Sequence, residues 1–394
     1  MNSLNSKVLF ITNADMTKNS GDVILVCRRA ETMFLMYGIE TVILTASGKD
    51  TIIEKDYRGV YFSSVERISY KVITEKVELV KPRVIVFFGA RIYVYIKKIK
   101  KYIKQRQYKV KTFCDIQGVP EEIIEFLPLL QKCCRYPNFY VHKKLIQYGL
   151  SNVDSAFVVS NEMINYCNKL LRGKNKVDYY KVRCGVDSIL DTNTKMVWRS
   201  QTRMELGIGE SKTVFVFSGY RKPWQKIDYT IAFFKDVDKK MDNAHFCFFC
   251  NIDTEFENRL KDEFPRENYT VKFLQKDEYF KYLVACDIGV IFRDNNTTNC
   301  VAFPNKFSDY INAGLIVALN SFLIEPNLIL KKYDLPYINA DRIPRVSEYV
   351  YANKLRTEKL EEFYACCEKV CESELTYHGQ LKSISFFERS QLLI

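Results

Sequence analysis

Short apolar runs rich in β-branched residues recur along this chain, each followed by a segment of helical periodicity, and the series restarts midway. Residues 7–13 read as a buried strand, 19–22 as a polar turn, 23–37 as a helix ending at Gly38, and 41–45 as the next strand. Parallel strands require such crossovers, because a tight hairpin would reverse the chain direction. Further strands are expected at Val84–Phe88, 110–113, 156–159 and 179–182. The second series opens at Thr213–Ser218, and its strands continue at 245–250, 270–274, 288–292 and 315–319. The reading is therefore α/β with two domains, 1–190 and 191–376, joined near Ser188 to Lys195. A last helical stretch, 377–394, lies beyond the second domain and is free to pack back on the first. Two such domains facing each other leave a cleft at the carboxyl ends of their strands, where open α/β sheets bind ligands.

Composition narrows the partners. A chain of 394 residues can hold two full cores, and its net charge of +12 points to an anionic partner: nucleotide phosphates, lipid head groups or nucleic acid. No nucleic-acid motif accompanies that charge. The 13 cysteines are odd in number and lack C-x-x-C spacing, and Cys133–Cys134 and Cys366–Cys367 are merely adjacent. They read as free thiols of a reducing compartment, so the expected location is cytoplasmic. Near the N-terminus only 8–11 is apolar, and the longest apolar stretch, 84–96, is interrupted by Arg91 and too short to span a bilayer. His142, His245 and His378 match no metal spacing, and Asp236 and Asp238 diverge on a helix. No metal or cofactor is expected.

Five segments carry chemistry. Phe303 to Gly314 reads as a proline-led turn and a short helix before the strand 315–319. Pro304 suits the helix start and Gly314 its left-handed end. Lys306 and Asp309 fall on nearly one face. They suit an anion at the helix N-terminus and a sugar hydroxyl one turn on, or else form an exposed pair. After Ser218, the loop from Gly219 to Ile227 presents Arg221 and Lys226 between a strand and a helix, fit for phosphate or simply solvated. Gly21 holds the corresponding place in the first domain, where a backbone can approach a phosphate. Asp115 follows a strand of that domain and could orient an acceptor hydroxyl. Finally, the segment from Arg91 to Lys111 has nine basic and no acidic residues, with Ile92, Ile96, Ile99 and Ile103 at helical spacing. It fits peripheral contact with an anionic membrane, or a core-packed helix with a solvated basic face.

Together these segments resemble the GT-B nucleotide-sugar glycosyltransferases, specifically the retaining family 4-like enzymes. The resemblance runs in order through 115–122, Arg183 to Asp187, Ser218 to Lys226 and Phe303 to Gly314. It implies two Rossmann-like domains and a nucleotide diphosphate-sugar donor, with a glycan or lipid-linked acceptor. It implies that Arg221 and Lys226 hold the diphosphate and that Asp309 accepts the ribose hydroxyls. Gly21, Gly219, Pro304, Asn305 and Lys306 would surround the donor. Asp115, Arg221 and Lys226 are the expected catalytic set, Asp115 orienting the acceptor hydroxyl while Arg221 and Lys226 stabilise the leaving diphosphate without a metal. Val301 stands where the family pattern has its first glutamate, and Gln117 where it has an arginine. An epimerase of the same architecture, or a non-catalytic binding protein, are the rival functions.

Overall fold

The computed structural model describes residues 7–18, 20–47, 53–173, 176–342 and 344–384. The chain divides into two compact units, 1–183 with 377–394, and 184–376. Residues 184–190 thus fall in the second unit, ahead of the expected junction. There Val186 pairs with Thr376, and the Cys184 carbonyl accepts from Ser308 Oγ at 2.7 Å.

The first unit is built on a seven-stranded parallel sheet. Its strands are β1 (Lys7–Thr12), β2 (Glu40–Thr45), β3 (Val60–Ser64), β4 (Val84–Phe88), β5 (Lys111–Ile116), β6 (Ser155–Val158) and β7 (Asp178–Lys181), in the order β3-β2-β1-β4-β5-β6-β7. Central strands bury both faces, which is why they read as continuous apolar runs: β4, Val-Ile-Val-Phe-Phe, is buried throughout. The edge strand β3 is half-exposed and partly polar, and no apolar run marks it in the sequence.

The second unit repeats the plan with six parallel strands. These are β8 (Thr213–Ser218), β9 (Ala244–Phe249), β10 (Tyr269–Lys272), β11 (Ile288–Ile291), β12 (Ile316–Leu319) and β13 (Tyr337–Asn339), in the order β10-β9-β8-β11-β12-β13. The short edge strand β13 also lacked a sequence signal. In each unit the strand order reverses beside the first strand, between β1 and β4 and between β8 and β11. Those switch points open crevices at the strand carboxyl ends.

One buried ionic cluster ties the second unit together at the opposite end of its sheet. Asp287, just before β11, accepts from Arg199 Nη2 at 2.6 Å, Arg203 Nη2 at 2.7 Å, Arg356 Nη1 at 2.8 Å and the Val214 N–H at 2.8 Å. Burial alone would push the Asp287 carboxyl up, but Arg199, Arg356 and Arg203 hold it below the usual carboxylate range.

The helix Tyr377–Lys382 packs on the helix Gly21–Tyr37 of the first unit. Tyr37 Oη donates to the Leu381 carbonyl at 3.1 Å, and Gln380 Oε1 accepts from the Arg183 N–H at 2.6 Å. The expected helical continuation, 385–394, lies outside the described residues.

The basic segment forms a 3₁₀ turn, Ala90–Tyr95, and a helix, Ile96–Gln105. Ile92, Ile96, Ile99 and Ile103 are buried within their own unit, so the apolar face is a core face. Lys97, Lys98, Lys101 and Lys104 are exposed, while Lys100 is held by Asp154 at 2.6 Å. No helix among the described residues is long and apolar enough to cross a membrane.

Candidate functional site

In the second unit, the candidate donor residues gather at the carboxyl edge of β8 and β11. Gly219 leaves β8 with φ +93°, a conformation glycine adopts without strain, and its N–H donates to the Phe249 carbonyl at 2.8 Å. Arg221 is fixed on three sides. Its N–H meets Asn251 Oδ1 at 3.1 Å, its guanidinium pairs with Asp253, and it stacks over the Phe256 ring at 4.2 Å. Lys226 sits at φ +52°, a left-handed position at the head of the helix Ile227–Asp238, and its ammonium pairs with Asp294 at 2.9 Å. Such a backbone is costly for a lysine and is tolerated where the loop must take one shape.

The helix Asn305–Asn312 starts on Pro304 and bears no side-chain cap; the Phe307 N–H turns back to the Pro304 carbonyl at 3.0 Å, which leaves the N–H groups of Asn305 and Lys306 for an acceptor. Asp309 accepts from Tyr279 Oη at 3.3 Å, and Tyr279 Oη also lies 3.0 Å from Ser218 Oγ at the end of β8. Tyr310 completes the chain: its Oη accepts from the Ser218 N–H at 3.2 Å, and its ring packs over Gly289. A Cβ at 289 would fall 2.3 Å from that ring, so glycine there seats the tyrosine. Lys306 does not form an exposed pair with Asp309. It is 7% exposed, with Nζ 3.8 Å from the Phe217 ring centre.

Sequence reasoning passed over Arg293, the second residue beyond the end of β11. Burial pulls its pKa down to about 10. The strand-end rule that singled out Arg221 would have found it.

In the first unit, a cavity of about 610 Å³ opens at the ends of β4 and β5, lined by Asp22, Gly89, Asp115, Gln117, Glu122 and His142 among others. Gly21 is the first residue of the helix Gly21–Tyr37, whose N-cap Ser20 makes no side-chain capping bond. Asp115 lies at the cavity floor, but it is 3% exposed and bonded to Arg29 Nη1 at 2.6 Å and Gln117 Nε2 at 3.3 Å. It is one half of a buried ion pair rather than a carboxylate open to an acceptor. The carboxylates that do open here are Asp22 and Glu122. Partial desolvation raises both, and Asp22 is raised further by Asp115, and Glu122 by Asp22. Both belong to segments singled out in the sequence, Asp22 next to Gly21 and Glu122 in the stretch from Asp115. Only the fold shows that they share one cavity. No group of three or more metal-ligating side chains occurs among the described residues.

No protein-family model matches the chain, and no curated protein matches it by sequence. Solved structures do match. A glycosyltransferase from Rickettsia africae gives a TM-score of 0.69 at 11% identity, over 99% of each chain. HepE from Anabaena, in complex with UDP, gives 0.67 at 11% identity, covering 96% of this chain and 98% of its own. WaaG, a glycosyltransferase involved in lipopolysaccharide biosynthesis, gives 0.63 at 12% identity, over 96% and 99%. Identities this low speak for the fold, and they do so across nearly the whole length of each chain. The chain has the GT-B fold of nucleotide-sugar glycosyltransferases, with two Rossmann-like domains.

Proposed function

We propose that this protein is a retaining glycosyltransferase that moves a sugar from a nucleoside diphosphate donor to a glycan or lipid-linked acceptor in surface polysaccharide or glycoconjugate synthesis. The observation that carries this reading is the convergence of Arg221, Lys226, Lys306 and Asp309 on one strand-end crevice of the second unit. Arg221 and Lys226 place fixed positive charge beside a departing diphosphate, and the open helix start at Pro304 and Asn305 adds its dipole. No metal is required by this scheme. Asp309, oriented by Tyr279, accepts the ribose hydroxyls. Retention rests on the resemblance to family 4-like enzymes.

On the first unit, the acceptor hydroxyl passes from Asp115 to Asp22 and Glu122, while Gly21 lets the backbone approach. Arg29 and Asp115 then act by holding the cavity floor. A non-catalytic reading is favoured by one residue, Val301, which is apolar and buried. Turnover separates the two readings: an enzyme releases nucleoside diphosphate from a nucleotide sugar, whereas a binding protein retains its ligand intact.

For the lipid-linked acceptor, we propose peripheral contact with an anionic membrane at the cytoplasmic face. The contact is electrostatic, since the isoleucine face of the basic helix is buried. Each exposed lysine near such a surface contributes about 1 kcal/mol. Exchanging Lys97, Lys98, Lys101 and Lys104 for Gln is expected to abolish sedimentation with anionic vesicles and leave the fold intact. Wild-type binding that resists high salt, or a quadruple variant that still sediments, would contradict this, because the Debye length shrinks to about 3 Å at 1 M salt.

A further inference from the structure

The donor crevice holds a buried amine that makes no hydrogen bond or ion pair among the described residues. Lys306 is 7% exposed, and its Nζ has no hydrogen-bond partner among the described residues. It rests on the Phe217 ring, under Gly219, where an added Cβ would stand 3.1 Å from Lys306 Cε. Arg293 lies near it and forms no ion pair among the described residues, its Nη1 donating only to the neighbouring Phe292 carbonyl at 2.9 Å. By contrast Arg221 and Lys226 each already hold a carboxylate. A buried ammonium without a partner is strongly disfavoured. The site therefore has two cationic side chains waiting for an anion, and one of them can shed its charge meanwhile.

We infer that Lys306 and Arg293 form the seat of the donor diphosphate, and that Lys306 takes up a proton from solvent as that anion enters. The inference rests on the donor-site reading above and adds Arg293 and the proton to it. The charges facing Lys306 from its surroundings are few. Arg293 after β11 disfavours the ammonium, Asp309 on its own helix favours it, and Cys250 after β9 is a thiol that burial pushes up to about 12 and so keeps neutral. Burial first and Arg293 second pull Lys306 well below the usual lysine range. A sugar diphosphate brings two negative charges to this pair. The free amine then becomes an ammonium bonded to phosphate oxygen, with no covalent bond made or broken besides the new N–H.

Linkage gives a second consequence. A folded-state pKa below the unfolded value of about 10.4 means stability that is complete above that value and lost as pH falls through the folded one. Removing the amine removes that loss. Lys306→Met is therefore expected to melt higher than wild type without ligand, and the gap is expected to widen as pH is lowered.

The test is calorimetric titration of UDP into the full chain at about pH 8, where the nucleotide phosphate is fully ionised. Running it in Tris and in HEPES, whose ionisation enthalpies differ, counts the protons exchanged. Wild type is expected to take up a proton. Lys306→Met should take up none and bind at least about tenfold more weakly, about 1.4 kcal/mol. Arg293→Met should bind more weakly and take up less, because Lys306 loses the neighbour that keeps it neutral. Equal proton counts in wild type and Lys306→Met, or an Arg293→Met variant identical to wild type, would overturn the inference while leaving the donor reading intact. A wild-type protein that binds none of UDP, GDP and dTDP would overturn both.

Discussion

Asp287→Asn is expected to cost the second unit about 3–5 kcal/mol of stability, the penalty typical of breaking a buried ion pair from one side. The side chain keeps its shape but loses the charge that three arginines share. Arg199, Arg203 and Arg356 would then face one another at the base of the sheet, with Arg203 and Arg356 completely buried. Bonds such as Arg203 Nε to the Ala285 carbonyl at 3.0 Å and Arg356 Nε to the Gly314 carbonyl at 3.0 Å satisfy donors without neutralising charge, and the one other carboxylate near Arg203 among the described residues, Glu210 at 3.8 Å, is largely exposed. Against a whole-domain stability of about 5–15 kcal/mol this loss is large. Urea unfolding should show the midpoint falling sharply, and a shift below about 1 kcal/mol would mean that the arginines find other counter-charges. Because Asp287 titrates below the usual range in the folded state, its contribution is present above about pH 4 and is lost only as pH falls through its lowered value.

The second large effect is on binding. Replacing Arg221 and Lys226 together with Ala is expected to weaken nucleoside diphosphate affinity more than a hundredfold, since each charge-assisted contact is worth about 1.5–3 kcal/mol. Neither side chain carries the fold. Lys226 is half-buried at the mouth of the crevice, and Arg221 braces a surface loop against Asn251 and Asp253. The double variant should therefore melt close to wild type while losing UDP binding by calorimetry. Unchanged affinity would move the diphosphate away from β8.

Much of this architecture is written locally. Strand β8 falls at 213–218 as its apolar run indicates, and the helix behind Pro304 ends at Gly314, at φ +72°, as a proline start and glycine stop require. Edge strands β3 and β13 escape because an edge strand is exposed and need not be apolar. What the sequence hides are partners distant in the chain. Arg29 and Asp115 are 86 positions apart, so the pairing that closes Asp115 off cannot be seen in either segment. Arg199 and Arg203 look like the solvated face of a helix until Asp287 is brought beneath them. Likewise the isoleucines of 96–103 mark an amphipathic helix without saying whether protein or lipid covers them. Lys306 is visible at a helix start, but its burial under Gly219 and against Phe217 comes from the packing of β8.

Turnover tests the central claim most directly. Wild type and Asp309→Ala would be incubated with UDP-, GDP- and dTDP-linked sugars, following released nucleoside diphosphate with and without glycan acceptors. The account predicts release from one donor class by the wild type, stimulated by acceptor, and little release by Asp309→Ala at the same donor concentration. Tight binding of a nucleotide sugar with no release under any acceptor would contradict it and leave a binding protein of GT-B fold.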